Sequence, residues 1–388
     1  MKKFLALAMA GSMAFSLAAC GGNSASSSSA AGATSSATAE EAAASEITGI
    51  AQVCDVGTID DESFNQGCWE AVQAFGEANG LNYEYYLPSD DNDEERQTLI
   101  RNAINDGANT VVCVGYLYGP ALAWASEEYP DINFIGVDMT AGDIGTETIP
   151  ENVYCITYKE EQAGYLAGYA AVKDGFTELG FLGGMAVPAV IRYGYGFVQG
   201  ADAAAQEMGA NIHINYWYGG AFSGDANITA KMESWYSGGT QVVFACGGGI
   251  YTSAVEAAVK YDGKVIGVDV DQNYIGEQDV ASGKYSYNPF VTSAMKGLNE
   301  GVTDALDHVM NGTWSNIAGT NGVYGLQEGD YVGLPTAEGS WNFSTFTVEE
   351  YEAVKEQIRS GEIVVDDSSD DTVRPTVNED YTDVDYQA

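Results

Sequence analysis

From Ile47 onward, short apolar runs alternate with segments of helical periodicity. "ITGIAQVCDV" reads as a strand, and "FNQGCWEAVQAFGEANG" as a helix whose apolar line runs Phe64, Cys68, Val72, Phe75 and ends at Gly80. "NYEYYL" and "TVVCVG" are strands flanking the helix "DEERQTLIRNAINDG". The helix "ALAWASEEY" and the strand "INFIGVD" follow. Strands and helices that alternate in this way predict a parallel sheet covered by helices.

The series then restarts. "NVYCITY" leads into the helix "KEEQAGYLAGYAAVKDG". The strands "ELGFLGG", "NIHINYWY", "TQVVFACGG" and "KVIGVDV" come next, separated by three helical patterns. Two such series predict two doubly wound α/β lobes, each ending a strand with the same triplet, Gly136-Val137-Asp138 and Gly267-Val268-Asp269. After Gly283, "VTSAMKGLNEGVTDALDHVMNG" reads as one amphipathic helix and "GVYGLQEGDYVGL" as strands around a turn. "TVEEYEAVKEQIRSGEIVV" reads as a last helix and strand. The expected organisation is a first lobe of 47–157 plus about 288–320 and a second of 158–287 plus about 321–365. Several crossings between them would make a hinge. Residues 366–388, with eight carboxylates and little apolar content, are expected to be a solvated acidic tail.

The amino end has a different pattern. Lys2 and Lys3 precede a short apolar stretch, too short to span a bilayer comfortably, as in a signal peptide over 1–19. Leu17-Ala18-Ala19-Cys20 resembles a bacterial lipobox, which would leave Cys20 as a lipid attachment site on the membrane. The Gly/Ser/Ala-rich residues 20–46 are expected to be a flexible tether.

Charge narrows the partners. A formal net charge of −41 disfavours nucleic acid and anionic lipid, and favours a neutral or cationic small molecule. Cys54, Cys68, Cys113, Cys155 and Cys246 are scattered through apolar runs without a CxxC pair, and read as small core residues. His213 and His308 lie in unrelated elements, so Ser-His-Asp or Cys-His catalysis and a zinc site are not expected. No phosphate loop or dinucleotide fingerprint is present. The stretch from Asp269 fails as a calcium loop because Tyr274 and Val280 stand where Gly and Glu are required. No metal or cofactor is expected.

In open α/β sheets ligands collect at the carboxyl ends of strands. That rule selects Asp55, Phe64 and Asn65 after the first strand, Tyr116 after the third, and Asp138 after the fourth. In the second lobe it selects Trp217, Phe222, Gly247–Gly249 and Asp269. Carboxylates suit vicinal hydroxyls, aromatic faces suit flat rings, and glycines allow close backbone approach. Each has a structural alternative: the Asp residues can be turn formers, Asn65 a helix start, Phe64 and Trp217 core residues, and the glycines a tight turn.

Taken in order, Asp55, "DDESFNQG", "EEQAGYLAGYAAV", "LGFLGGMAVPAVIRYGYGFVQGA", "GVDVDQ" and "YGLQEG" resemble the BMP (basic membrane protein) family of ABC-transporter substrate-binding lipoproteins, over about residues 47–365. Its best-described branch is the purine nucleoside receptor. The resemblance implies a type I periplasmic-binding-protein-like fold and a monomer that delivers a nucleoside to an ABC permease and ATPase from the extracytoplasmic face. It implies that Phe64 stacks on the base while Asp55 and Asn65 contact its edge. Asp138 would lie near the ligand, Phe222 or Trp217 would oppose, and Gly248, Asp269 and Lys296 would hold the ribose. "ASGKYSYNPF" departs from the family's usual apolar run before Lys296. Asp60–Glu62 are expected to be solvated turn residues. A sugar or other neutral solute, or a nucleoside-hydrolysing activity, would also suit the composition.

Overall fold

The computed structural model describes residues 47–387; the expected signal peptide, Cys20 and tether lie outside the described residues. The first lobe begins with β1 (Gly49–Val53), α1 (Phe64–Asn79), β2 (Asn82–Tyr86), α2 (Asp93–Asn105) and β3 (Thr110–Val114). It continues through α3 (Gly119–Glu128), β4 (Asn133–Val137), the short α4 (Ala141–Ile144) and β5 (Val153–Tyr158). The second lobe starts with α5 (Glu160–Lys173), β6 (Glu178–Gly183), α6 (Pro188–Met208), β7 (Ile212–Tyr218), α7 (Ala226–Gly238) and β8 (Val242–Cys246). After them come α8 (Tyr251–Ala258), β9 (Lys264–Asp269), α9 (Asn273–Ala281) and β10 (Phe290–Lys296). The chain then returns through α10 (Leu298–Met310), β11 (Asn321–Tyr324), β12 (Val332–Gly333), α11 (Val348–Arg359) and β13 (Thr382–Tyr386).

These strands form two sheets, with orders β11-β5-β4-β3-β1-β2 and β12-β10-β9-β8-β6-β7-β13. All pairs are parallel except β10–β12. Central strands such as β3, β4 and β8 are buried at every position, as a sheet covered on both faces requires.

The returning segments are distributed differently from expectation. Val291–Lys296 was expected to open a helix, but it belongs to strand β10 of the second sheet, and only the residues from Leu298 are helical, packed on α1 of the first lobe. Residues 321–324 were expected in the second lobe and instead pair with β5 in the first. The strand expected within "GEIVV" does not form, since Gly361–Val365 has no ladder partner. The acidic tail ends in an edge strand: β13 pairs with β7, burying Thr382 while Asp383 and Asp385 face outward. Alternation of Thr, Val and Tyr with Asp drives it, because one face is buried and the other solvated.

The chain therefore crosses between lobes three times, at Tyr158–Glu160, Lys296–Leu298 and Gly325–Tyr331. The crossings are bonded to one another. Lys159 N donates to Tyr324 O at 2.9 Å, Tyr158 OH to Gly297 O at 2.8 Å, and Gly297 N to Tyr331 O at 2.6 Å. Behind them α5 and α6 pack at backbone contact. A Cβ at Gly164 or Gly168 would collide with a carbonyl of α6, and one at Gly196 or Gly200 with a carbonyl of α5. This approach sets the start of α5, with Glu160, beside Arg192 on α6.

Candidate functional site

Polar and aromatic side chains of both lobes converge where the carboxyl ends of the two sheets face each other. A cavity of about 240 Å³ is lined there by residues of both lobes, among them Asp55, Phe64, Asn65, Tyr116, Asp138, Phe222, Gly248, Asp269 and Lys296. It has room for roughly eight waters, or one solute the size of a nucleoside or monosaccharide.

The turn after β1 explains its own composition. Ser63 stands at the N-cap of α1, yet its hydroxyl makes no capping bond, because it donates to Asp269 Oδ2 of the other lobe at 2.6 Å. Asp61 takes over the helix start, accepting from the backbone N–H groups of Ser63, Asn65 and Gln66 at 3.0–3.1 Å, where the helix dipole favours a carboxylate. Asp61 was expected to be solvated and is instead buried and lines the cavity. Burial pushes its carboxyl up to about 6 against those three hydrogen bonds. Asp61 also accepts from Asn65 Nδ2 at 3.2 Å, which fixes the amide and leaves Asn65 Oδ1 buried without a partner.

The two Asp residues of the repeated Gly-Val-Asp triplet share a backbone state. Asp138 (φ 57°) and Asp269 (φ 66°) are both left-handed, a conformation that Asp tolerates better than most residues but that still stores strain at a strand end. Each turns its carboxylate toward Lys296. The ammonium lies 2.5 Å from Asp138, and 3.7 Å from both Asp269 and Glu160. It also sits 4.6 Å from the centroid of the Phe64 ring. Burial alone would lower the Lys296 pKa, but Asp138, Asp269 and Glu160 outweigh it and the net shift is upward. Burial raises the Asp138 carboxyl, with the Lys296 ammonium opposing. Asp138 Oδ1 remains buried and unpartnered.

Asp55 is buried at the end of β1, and no donor among the described residues bonds its carboxylate. Burial, opposed by Arg96 and reinforced by Asp61, pushes it up to about 8. At neutral pH it is therefore chiefly an O–H donor with one acceptor oxygen. An acid whose folded pKa is raised contributes stability that is full below its unfolded value of about 3.9 and is lost as pH rises toward 8. Asp55→Asn is accordingly expected to raise the melting temperature at pH 8.5, with the gain shrinking toward pH 4. Melting curves across that range would refute this assignment if the difference were independent of pH.

On the second lobe, a Cβ at Gly248 (φ 50°) would stand 2.8 Å from Phe222 O, so the glycine run seats Phe222 as well as lining the cavity. Trp217 is not in the cavity. It lies on β7, packed on the cluster of Leu182, Ile228 and Met232, with Lys231 5.4 Å from its ring. Strand alternation turns it toward that outer layer. Strand-end reasoning missed Arg192 and Tyr193, which enter the cavity from the first turns of α6, as well as Thr157 and Ser369. The lone cation in "PAVIRYGYG", just beyond a strand end, was the available signal for Arg192.

The site offers ring faces, unpartnered acceptors and two cations, and no His lines it. No cluster of His, Cys, Asp or Glu suited to a metal occurs among the described residues. No helix among them is long and apolar enough to cross a membrane. Residues 49–369 match the family model described as "Bmp: ABC transporter substrate-binding protein PnrA-like". The chain belongs to this family. Among Bmp relatives, the "ABC transporter nucleoside-binding protein BmpA" of Lactococcus lactis is 31% identical over 301 residues, covering 74% of this chain and 82% of that protein. The "CD4+ T-cell-stimulating antigen" of Listeria monocytogenes is 31% identical over 374 residues, covering 93% and 97%. A solute-binding protein of an ABC transporter system from Aeropyrum pernix superimposes with a TM-score of 0.70 at 20% identity, covering 84% of this chain and 94% of that one. This Bmp protein is thus an ABC-transporter substrate-binding protein with a type I periplasmic-binding-like fold, a role that implies a small-molecule ligand and transporter partners.

Proposed function

We propose that the protein captures a neutral nucleoside, a purine nucleoside by preference, between its lobes and delivers it to an ABC permease and its ATPase. One observation carries this reading: the Phe64 ring stands on the cavity wall beside two buried acceptors without partners, Asn65 Oδ1 and Asp138 Oδ1, and the raised carboxyl of Asp55. A flat heterocycle bearing N–H groups satisfies a ring face and edge acceptors together. Asp55, Asn65 and Asp138 then read the base, Phe64 and Phe222 cover it, and Gly248, Asp269 and Lys296 hold the ribose, with Tyr116 on the rim. The similar Lactococcus lactis protein, described as nucleoside-binding, supports the ligand class. The protein acts as a monomeric receptor without catalysis, anchored through lipid on Cys20 at the extracytoplasmic face.

The test is calorimetric titration of ligand-stripped protein with inosine, guanosine, adenosine, cytidine and ribose. One-to-one binding is expected, with purine nucleosides at least about tenfold tighter than ribose, since stacking contributes ~1–3 kcal/mol per base. Release of free base would make the protein an enzyme. Binding of sugars alone would replace the ligand and keep the role.

A further inference from the structure

The family match ends at residue 369, but the chain continues as a strap held on one face of α6. Gln199 clasps the backbone of Asp366 with both amide atoms, at 2.9 and 3.0 Å. Tyr195 OH donates to Asp370 O at 3.3 Å and accepts from Arg374 Nη1 at 2.9 Å. Asp202 accepts from Asn378 N and from Thr382 Oγ1, where β13 begins. Between these ties Ser369 lines the cavity described above.

Two pairs of carboxylates flank Ser369. Asp366 and Asp370 shape the turns, accepting from Ser368 N and from Thr372 N and Oγ1. Asp367 and Asp371 take no hydrogen bond among the described residues and are exposed. The Asp367 charge adds a little inside: Glu161, whose Oε2 is buried without a partner, has its carboxyl pushed up to about 8, chiefly by burial and by Glu160, against Arg192. Inside the cavity stand Lys296 and Arg192. The Arg192 Nε is spent on Glu160 at 2.7 Å, while its two Nη groups make no hydrogen bond among the described residues. Lys296 is already faced by Asp138, Asp269 and Glu160, but the free Nη groups of the partly buried Arg192 at the cavity wall would by themselves draw a phosphate.

We propose that residues 366–371 are a wall of the binding cavity whose carboxylates keep phosphorylated solutes out, so that the site selects the uncharged member of a solute–phosphate pair. The choice of probe rests on the nucleoside reading. The strap offsets the attraction that the free Nη groups of Arg192 exert and acts at the mouth, within about one Debye length (~8 Å in physiological salt) of an entering anion.

The test compares the wild type with Asp367→Asn/Asp371→Asn and with a fourfold variant that adds Asp366→Asn and Asp370→Asn. Asn keeps the acceptor oxygens that the turns use, so the strap's fold is retained. Inosine and inosine 5′-monophosphate are titrated calorimetrically into each protein. The preference for inosine is expected to fall roughly threefold in the double variant and roughly tenfold in the fourfold one, and less at about 0.5 M salt. A preference unchanged within about twofold overturns the strap's role and leaves the nucleoside reading standing. If inosine does not bind the wild type, the nucleoside reading falls and the strap is read from Tyr116→Cys on the opposite wall. The five cysteines among the described residues are buried, so with Cys20→Ser in the same chain residue 116 would report cavity access. Labelling by anionic iodoacetate relative to neutral iodoacetamide is then expected to speed up by a similar factor in the fourfold variant, and equal ratios overturn the proposal.

Discussion

Lys296→Met is expected to destabilise the protein by roughly 3–5 kcal/mol, the usual consequence of removing one partner from a buried ion pair. Three carboxylates, Asp138, Asp269 and Glu160, lie within 4 Å of the ammonium, and the Lys side chain is 3% exposed. Met fills much of the same volume, so lost packing is a minor part of the effect. What remains is mutual repulsion of three largely buried carboxylates. The defect should shrink at acid pH as Asp138 protonates, since burial already raises its carboxyl beside the cation and it should protonate earlier without it. Adding Asp138→Asn to Lys296→Met should recover part of the loss. Urea unfolding of the two single variants and the double would measure the coupling, and a loss below about 1 kcal/mol for Lys296→Met would mean that the cluster is not the electrostatic keystone described here.

Phe64→Ala is expected to weaken nucleoside binding about 5- to 150-fold, the range of ~1–3 kcal/mol that base–aromatic stacking supplies. The ring is only partly buried and lies at the start of α1, so the fold should persist. Phe64→Leu separates the two contributions of the ring. If stacking on a flat base is what matters, Leu should lose nearly as much affinity as Ala, whereas Phe64→Tyr should retain most of it. If plain apolar burial is what matters, Leu should rescue binding, and the ligand need not carry a heterocycle. Titration of the three variants, with circular dichroism to confirm their fold, decides between these outcomes.

Much of this was legible before any coordinates. Period-two and continuous apolar runs gave the central strands, and two series of them gave two lobes. The strand-end rule led to Asp55, Asp138 and Asp269, whose side chains do meet at one cavity. The failures share a cause, which is that tertiary partners were invisible. β10 is buried on both faces, so its apolar run carries no alternation to separate it from the amphipathic helix that follows. β13 owes its existence to the free edge of β7, and its carboxylates made it look like a solvated tail. Asp61 looked like one more solvated turn residue, because the sequence could not show that Ser63 is committed to the opposite lobe and that a carboxylate must replace it as the helix cap.

The three bonded crossings have a kinematic consequence. A body joined to another by one strand can swivel and slide, and two strands still permit twist. Three strands tied side by side leave little besides rotation about the line that they define. Any opening of this molecule should therefore follow one arc, and reclosing should bring Ser63 back to Asp269 and Gln272 back to Glu62 O in the same register. Discrimination between similar solutes depends on that repeatability, since a cleft that shut a fraction of an ångström out of line would present different acceptors each time. The crossings thus behave as a mechanical guide whose tolerance limits how sharply the site can choose.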